Sequence, residues 1–210
     1  MYDSNALLTL APWLHHRVSA SRFVPDLPMD TALIEHLVLQ ATRAPSAFNL
    51  QNWHFVAVRD AAAKARLRAV AYGQQKITDA SVVFVICGVT GEHEQVAQRL
   101  APSVADGSLP ADVAATWAGW ASKAHAHDPV LQRDEAVRSA SLAAMTLMLA
   151  AQAEGHASCA MSGFDPAGVA REFGLQAAQL PVMLVAIGQA ASLDERQKAR
   201  RPVADVLRIV

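Results

Sequence analysis

The sequence is short of charge and of cysteine, and each shortage excludes a class of protein. Only 18% of its 210 residues are charged, and the formal net charge is -1. A protein that neutralises nucleic-acid phosphates needs a basic excess, so nucleic-acid binding is not expected. The two cysteines, Cys87 and Cys159, lie in apolar runs and are predicted to be buried free thiols. No metal site is predicted, because one would need more ligands at closer spacing.

Long hydrophobic runs and targeting signals are missing as well. The longest clean apolar run, Ala80–Val89, is far short of the ~20 residues that span a bilayer. The N-terminus has no basic region followed by an apolar stretch, so no secretory signal is predicted and the cytoplasm is expected. Hydrophobic residues nevertheless make up 52% of the chain. That share indicates a large buried interface of the kind found in obligate dimers.

The hydrophobic pattern predicts helices and strands in one domain, with α/β or α+β packing. Helices are predicted over residues 1–16, Asp30 to about Ala44, Asp60–Val70, two stretches between Gly91 and about Pro129, Arg133–Gln152 and Asp165–Phe173. Strands are predicted over Trp53–Arg59, Ser81–Val89, Ser158–Ser162 and Val182–Ile187, and residues 17–29 are predicted to be irregular. The helix over Arg133–Gln152 is apolar nearly all round, so we expect it to be central and buried.

Three polar segments could carry chemistry: His16–Phe23, Ala44–Phe55 and Arg196–Pro202. The first and third are basic clusters at opposite ends of the chain, and together they could hold a phosphate if the termini meet. The middle segment places hydroxyl and amide side chains in a helix-to-strand turn, where they would suit the edge of a flat heterocycle. Taken singly, each segment is more simply explained as a solvated basic patch or a polar loop.

Together the segments give the sequence a resemblance to the FMN-dependent nitroreductases. That family carries an Arg-x-Ser-x-(Arg/Lys)-x-aromatic run, followed by a Pro-Ser-x-x-Asn-x-Gln-Pro-Trp-x-Phe block. The matching residues here are Arg17, Ser19 and Phe23, then Pro45, Ser46, Asn49, Gln51, Trp53 and Phe55. The Tyr72–Ser81 stretch, the Met161–Asp165 turn and the closing Lys198-x-Arg200-x-Pro202 also match, so the resemblance covers nearly the whole chain.

The sequence departs from the family pattern at two positions. Asn52 stands where the family usually has Pro, a variant associated with small quinone- and nitroarene-reducing members. Ser21 stands where the family usually has Arg or Lys. Lys76 or Arg22 could supply the missing charge. Neighbouring side chains in an extended stretch point to opposite faces, so Arg22 should point away from the face that Ser21 occupies. We therefore favour Lys76.

The resemblance implies an α+β fold with a small, mostly antiparallel central sheet flanked by helices. It also implies an intertwined homodimer with C-terminal strand exchange, and a single FMN-binding domain over 1–210 with a helical, lid-like excursion at about 91–130. The residues implied to bind the cofactor are Arg17, Val18, Ser19, Ser21, Pro45, Ser46, Asn49, Gln51, Gln74, Lys76, Met161, Ser162, Gly163, Lys198 and Arg200. Of these, Pro45, Ser46 and Asn49 are expected to come from the other subunit.

The implied activity is a flavin-dependent reduction of small flat acceptors, such as nitroaromatics or quinones, with NADH or NADPH in a ping-pong scheme. The cofactor carries the chemistry, so no catalytic side chain is predicted. Trp117 and Trp120 are candidates for the substrate slot, with plain core packing as the alternative. The alternatives for function are a relative that acts on flavin or on halogenated aromatics, a flavin-binding regulator without turnover, and a structural protein with a degenerate site.

Overall fold

A four-stranded sheet forms the centre of the structure, a computed structural model that describes residues 12–192 and 194–210. The strands are β1 (Trp53–Val58), β2 (Val82–Val89), β3 (Ala157–Met161) and β4 (Gln179–Gly188). Their order across the sheet is β1-β2-β4-β3, and all three pairings are antiparallel. The predicted α+β class with a small antiparallel sheet is therefore confirmed.

Seven helices flank this sheet in the described residues. They are α1 (Thr31–Ala41), α2 (Ala61–Ala69), α3 (Gln75–Asp79), α4 (Val96–Ala105), α5 (Ala111–His125), α6 (Pro129–Ala153) and α7 (Pro166–Glu172). Short 3₁₀ turns lie at Ala47–Asn49, Glu92–Gln95 and Val203–Asp205. Residues 12–16 are also helical, while the rest of the helix predicted over 1–16 lies outside the described residues.

Each face of the sheet carries its own hydrophobic core. On one face, buried residues of α2, α3 and α7 pack against Val83, Val85 and Leu184. On the other face, α1 and α6 pack against Phe84, Ile86 and Ile187. Because β2 contributes to both cores in alternation, residues 82–88 are all buried, as expected for a strand covered on both faces.

Helix α6 is the central helix that the sequence predicted. It contacts α1, β2, β4 and β3, and Gly88 allows the close approach, because an added Cβ would lie 2.6 Å from the carbonyl oxygen of Ala136. On length and composition, α6 is also the one helix among the described residues that could cross a membrane. Its buried residues, which include Ala140, Ala144 and Leu147, pack in the core of this domain. We therefore interpret it as a core helix.

The N-terminal segment runs along the β3 side of the sheet. Ser19 forms a parallel bridge to Ser158, and the Ala20 N–H donates to the Ser158 carbonyl at 3.0 Å. Farther on, Phe23 bridges to Ala190 just beyond β4. The opposite edge of the sheet is β1, which pairs only with β2 among the described residues.

The excursion between β2 and α6 contains the 3₁₀ turn Glu92–Gln95, α4 and α5. It has its own small core, built from Val96 and Leu100 of α4 and from Ala114 and Ala121 of α5. Leu50 lies in the same core, so the excursion packs on the turn that precedes β1. Arg99 donates to the Leu50 carbonyl and forms an ion pair with Glu92, which strengthens that attachment.

Several predicted boundaries need correction. Helix α1 ends at Ala41 rather than about Ala44, because residues just before a proline disfavour helical geometry and Pro45 follows. Helix α6 begins at Pro129 rather than Arg133, since the Asp128 side chain caps it by accepting from the Leu131 N–H at 2.8 Å. Strand β4 begins at Gln179, before Pro181, which sits at a register shift opposite Cys87.

Candidate functional site

The two basic segments from opposite ends of the chain lie side by side. Together they enclose a small hollow of about 70 Å³. Its lining residues are Arg17, Val18, Ser19, Arg196, Gln197, Lys198 and Arg200. Guanidinium, ammonium and hydroxyl donors therefore converge at one point, and this donor set suits a phosphate group.

Two contacts hold the C-terminal segment against the N-terminal one. Gln197 donates through Nε2 to the carbonyl of Arg17 at 2.6 Å and to that of Leu14 at 3.3 Å. Arg200 is then oriented from within its own segment, because its guanidinium donates to the Lys198 carbonyl at 2.6 Å and to Gln197 Oε1 at 2.7 Å. Gln197 was not singled out from the sequence. As a neutral residue among cations, it carries no signal of its own.

A second part of the site lies where β3 ends. Met161 is buried at the end of the strand, while Ser162 and Gly163 are exposed just beyond it. Gln74 donates through Nε2 to the Gly163 carbonyl at 2.7 Å and to the Ala71 carbonyl at 3.2 Å. Since both amide hydrogens are used, Gln74 Oε1 is left to accept a hydrogen bond from a bound group.

Lys76 lies on α3, next to β3. Its Nζ lies 3.4 Å from the Sγ of Cys159, and its side chain is partly buried. The helix itself was not predicted from the sequence, although the residues of this stretch were. The structure thus brings Lys76 to the strand that leads into Ser162. Whether Lys76 or Arg22 serves as the cation of the site stays a prediction.

The turn before β1 has an unusual backbone. Phe48, Asn49 and Gln51 all adopt positive φ angles, of 51°, 55° and 46°. Such conformations cost roughly 1–3 kcal/mol each for residues other than glycine, and they concentrate at functional sites. The Ser46 hydroxyl accepts from the Gln51 N–H at 2.9 Å and closes the turn. Pro45, Ser46 and Asn49 of this turn are not among the residues that line the hollow of the same chain.

Two histidines support this turn from the side of the excursion. The buried rings of His93 and His125 stack with their centroids 5.8 Å apart, and Phe48 meets His125 edge to face at 6.2 Å. His125 Nδ1 lies 2.8 Å from the Ala121 carbonyl, so the N–H of this ring is used within the helix. We therefore interpret both rings as packing groups that fix the turn.

The two candidate tryptophans have different surroundings. Trp117 is partly buried and packs on the small core of the excursion. Trp120 is 59% exposed. The core interpretation therefore suits Trp117, while Trp120 is free to contact a ligand. Neither borders the phosphate-sized hollow.

Glu195, which lies beside the site and does not line the hollow, was missed from the sequence. Its Oε1 accepts from the backbone N–H of Ser21 at 2.7 Å and from the Ser21 hydroxyl at 2.5 Å. The Ser21 hydroxyl lowers the pKa of Glu195 most. Burial, the next largest effect, raises it, while the Ser21 N–H, Lys198 and Lys76 each lower it by less, so that the pKa lies below the ordinary value. A lone acidic residue in a surface segment gives no sequence signal, because the contact depends on how the termini meet.

Metal ligation has no support in the part of the chain that the structure describes. No cluster of three histidine, cysteine, aspartate or glutamate side chains suited to a metal ion occurs there. Cys87 and Cys159 are both free and buried. Burial raises the pKa of the Cys87 thiol to about 12, so it is protonated at neutral pH.

Comparison with known proteins places these features in a family. The family model described as "Nitroreductase family" matches residues 14–189. The "Putative NAD(P)H nitroreductase YodC" of Bacillus subtilis is 34% identical over 193 residues, which cover 92% of this chain and 95% of that protein.

Solved structures agree with this match. The structure of the "putative nitroreductase ydfN" from Bacillus subtilis superposes with a TM-score of 0.89 at 30% identity, covering 97% of this chain and all (100%) of that one. The fold is shared with a structure from Exiguobacterium sibiricum described as a "putative nitroreductase in complex with FMN", which has a TM-score of 0.87 at 24% identity over 95% of this chain and 96% of that one. The chain therefore belongs to the nitroreductase family.

Proposed function

We propose that the protein is a homodimeric FMN oxidoreductase that reduces small flat acceptors, nitroaromatics or quinones, in a ping-pong cycle. Membership of the family makes the chain an NAD(P)H-dependent flavin oxidoreductase. The ligating residues, the second subunit, the acceptor and a cytoplasmic location are our proposal. The observation that carries it is that four side chains chemically suited to a phosphate, Arg17, Ser19, Lys198 and Arg200, line one hollow.

The residues present fit FMN at its phosphate end. A flavin mononucleotide ends in a dianionic phosphate, which needs several donors and positive charge. Arg17, Lys198 and Arg200 supply charge, and Ser19 supplies a hydroxyl. Since two of the five N–H donors of Arg200 are used within its own segment, three remain for a ligand.

The residues at the end of β3 fit the ring system. Gln74 Oε1 is an acceptor for a ring N–H, Lys76 is a cation for the ring edge, and Ser162 presents an exposed peptide beside the strand end. Bound FMN would supply two-electron hydride chemistry between NAD(P)H and the acceptor. The chain contributes binding, orientation and charge, and we assign no side chain as a proton donor.

A second copy of the chain is the occupant we propose for the surface formed by α1 and β1. Ile34, Val38, Leu39, Trp53 and Phe55 line a groove of about 590 Å³ there, beside the edge strand β1. The C-terminal tail is equally apolar and exposed, with Ile209 86% and Val206 64% exposed. A tail that adds a strand to the β1 edge of its partner would cover both surfaces at once.

The dimer also explains the strained turn before β1. Ser46 and Asn49 lie on that turn and do not line the phosphate hollow of their own chain. In the proposed dimer they reach the flavin of the other subunit. The excursion packs on the same turn through Leu50, so the lid over each site belongs to the partner that supplies Ser46 and Asn49.

The proposal is tested by loading the purified protein with FMN and mixing it anaerobically with NADH or NADPH. We expect rapid bleaching of the flavin, followed by reoxidation when menadione or a nitroarene is added. A flavin that binds but is not bleached by either nucleotide would make the protein a binder without turnover. Deletion of residues 206–210 tests the dimer, since it should produce monomers in light scattering together with loss of flavin.

A further inference from the structure

A carboxylate of the C-terminal segment, Glu195, contacts Ser21, one of the residues proposed to bind the cofactor, and it has no role in the proposed function. Glu195 Oε1 accepts both from the Ser21 N–H, at 2.7 Å, and from the Ser21 hydroxyl, at 2.5 Å. Two donors on one oxygen fix the side chain in place, although the residue is partly exposed. The contact joins the segment that carries Lys198 and Arg200 to the segment that carries Arg17 and Ser19.

The carboxylate carries a full negative charge at neutral pH. The two Ser21 donors favour its ionised form, and the charges of Lys198 and Lys76 favour it further, so its pKa lies below the ordinary value for glutamate. Lys198 borders the phosphate hollow, and Lys76 lies at the β3 side of the site. Glu195 therefore interacts with the cations assigned to both ends of the cofactor.

Holding the C-terminal segment in place does not require this charge. Gln197 already attaches that segment to residues 14 and 17 through two carbonyl groups, and Gln197 is neutral. Farther back, the Ala191 N–H donates to the Arg22 carbonyl at 3.1 Å. A glutamine at position 195 could also accept from Ser21. What the carboxylate adds is its charge.

We propose that Glu195 is a tuning residue that weakens FMN binding and, more strongly, disfavours the reduced form of FMN. This inference rests on the proposed function. A fixed negative charge repels the phosphate dianion and partly cancels the attraction of Lys76 for the charge that the ring gains on reduction. The result is a lower midpoint potential, which makes the reduced protein a stronger donor to its acceptor.

The experiment compares the wild type with Glu195→Gln, which keeps the size and an acceptor oxygen for Ser21 but removes the charge. FMN is titrated into apoprotein, and the dissociation constant is read from quenching of flavin fluorescence. The midpoint potential is measured by equilibration with a reference dye. Asp194→Asn is the matched control, because it removes the same charge from the neighbouring residue. The Asp194 backbone N–H donates to Ser192 Oγ, and its side chain makes no hydrogen bond to Ser21.

We expect Glu195→Gln to bind oxidised FMN a few-fold more tightly and reduced FMN about tenfold more tightly again. A tenfold effect is what two unit charges about 12 Å apart produce at an effective dielectric of about 20. For a two-electron couple, a tenfold change in relative affinity raises the potential by about 30 mV. Asp194→Asn should leave both quantities near the wild-type values.

Two results would overturn the inference. If Glu195→Gln binds FMN more weakly at an unchanged potential, the side chain only holds the segment in place. If Asp194→Asn shifts the potential as much as Glu195→Gln, the effect is one of general surface charge. A wild-type apoprotein that takes up no FMN would refute the proposed function itself, and the inference with it.

Discussion

Replacement of Arg200 by alanine tests the phosphate end of the site. In the structure its guanidinium donates to the Lys198 carbonyl at 2.6 Å and to Gln197 Oε1 at 2.7 Å, so it is already oriented before a ligand arrives. Three of its N–H donors remain for the phosphate. Arg200→Ala removes those donors and one positive charge, and it should therefore weaken FMN binding.

The size of the loss follows from the kind of bond. A hydrogen bond to a charged group contributes about 1.5–3 kcal/mol, which corresponds to a loss of about 10- to 150-fold in affinity. Because Arg200 is exposed in the single chain, we expect the lower part of that range at physiological salt and a larger loss at low salt. Arg200→Lys should fall between alanine and wild type, since it keeps the charge but not the planar fork.

The assay is a fluorescence titration of apoprotein with FMN. Arg201→Ala is the matched control, because Arg201 is the next residue, donates to the Asp205 carbonyl at 2.9 Å and does not border the hollow. An unchanged dissociation constant for Arg200→Ala would remove Arg200 from the site. An equal loss in Arg201→Ala would show that the effect is only long-range attraction.

Three further predictions concern the ring edge, the excursion and the core. Lys76→Met should lower the flavin midpoint potential, by about 30 mV for each tenfold loss in affinity for reduced FMN relative to oxidised FMN. Lys123→Met, which removes a charge at an exposed position of α5, should leave the potential unchanged. Trp120→Ala should raise the KM for the acceptor at unchanged flavin content, while Trp117→Ala, which cuts into a small core, should instead lower the free energy of unfolding by about 1–3 kcal/mol. Cys87 should resist a thiol reagent at pH 8 until the protein is unfolded, because burial raises its pKa to about 12. Its rapid labelling in the native state would contradict the core assignment.

The elements with strong local signals were predictable from the sequence. The β-branched run that became β2 and the apolar run that became α6 specify a buried strand and a buried helix by composition alone. The start of α1 was predicted correctly at Asp30, whose side chain accepts from the Leu33 N–H at 2.6 Å and caps the helix. Just beyond the C-terminal end of α6, Gly155 adopts a φ of 77°, a left-handed conformation in which helices commonly end at glycine.

The features that were not predicted from the sequence depend on contacts between distant segments. Helix α3 has only five residues, Gln75–Asp79, and its end is capped by Lys64, which donates to the Thr78 and Ala80 carbonyls at 2.8 and 2.9 Å. Lys64 is too far from this helix in the sequence for a local pattern to indicate the contact. The contact of Glu195 with Ser21 spans nearly the whole chain, so no spacing rule could have found it.

Part of the candidate site was likewise predictable from the sequence, and part of it depends on tertiary contacts. The resemblance to the nitroreductases identified the candidate residues from the sequence. The structure brings Arg17, Ser19, Lys198 and Arg200 to one hollow. The sequence could suggest this meeting only on the assumption that the two ends of the chain lie together. The turn over Pro45, Ser46 and Asn49 was singled out as well. Its three positive φ angles could not be foreseen, because Phe48 and Gln51 rarely adopt them and tertiary packing imposes them.

The absorption spectrum of the purified protein during anaerobic titration with NADH and NADPH shows whether the chain holds a flavin that these nucleotides reduce. We predict a yellow protein with one FMN for each chain, whose absorbance is bleached by at least one of the two nucleotides and restored by a quinone. A colourless protein that takes up no added FMN, or a bound flavin that neither nucleotide reduces, would contradict the account.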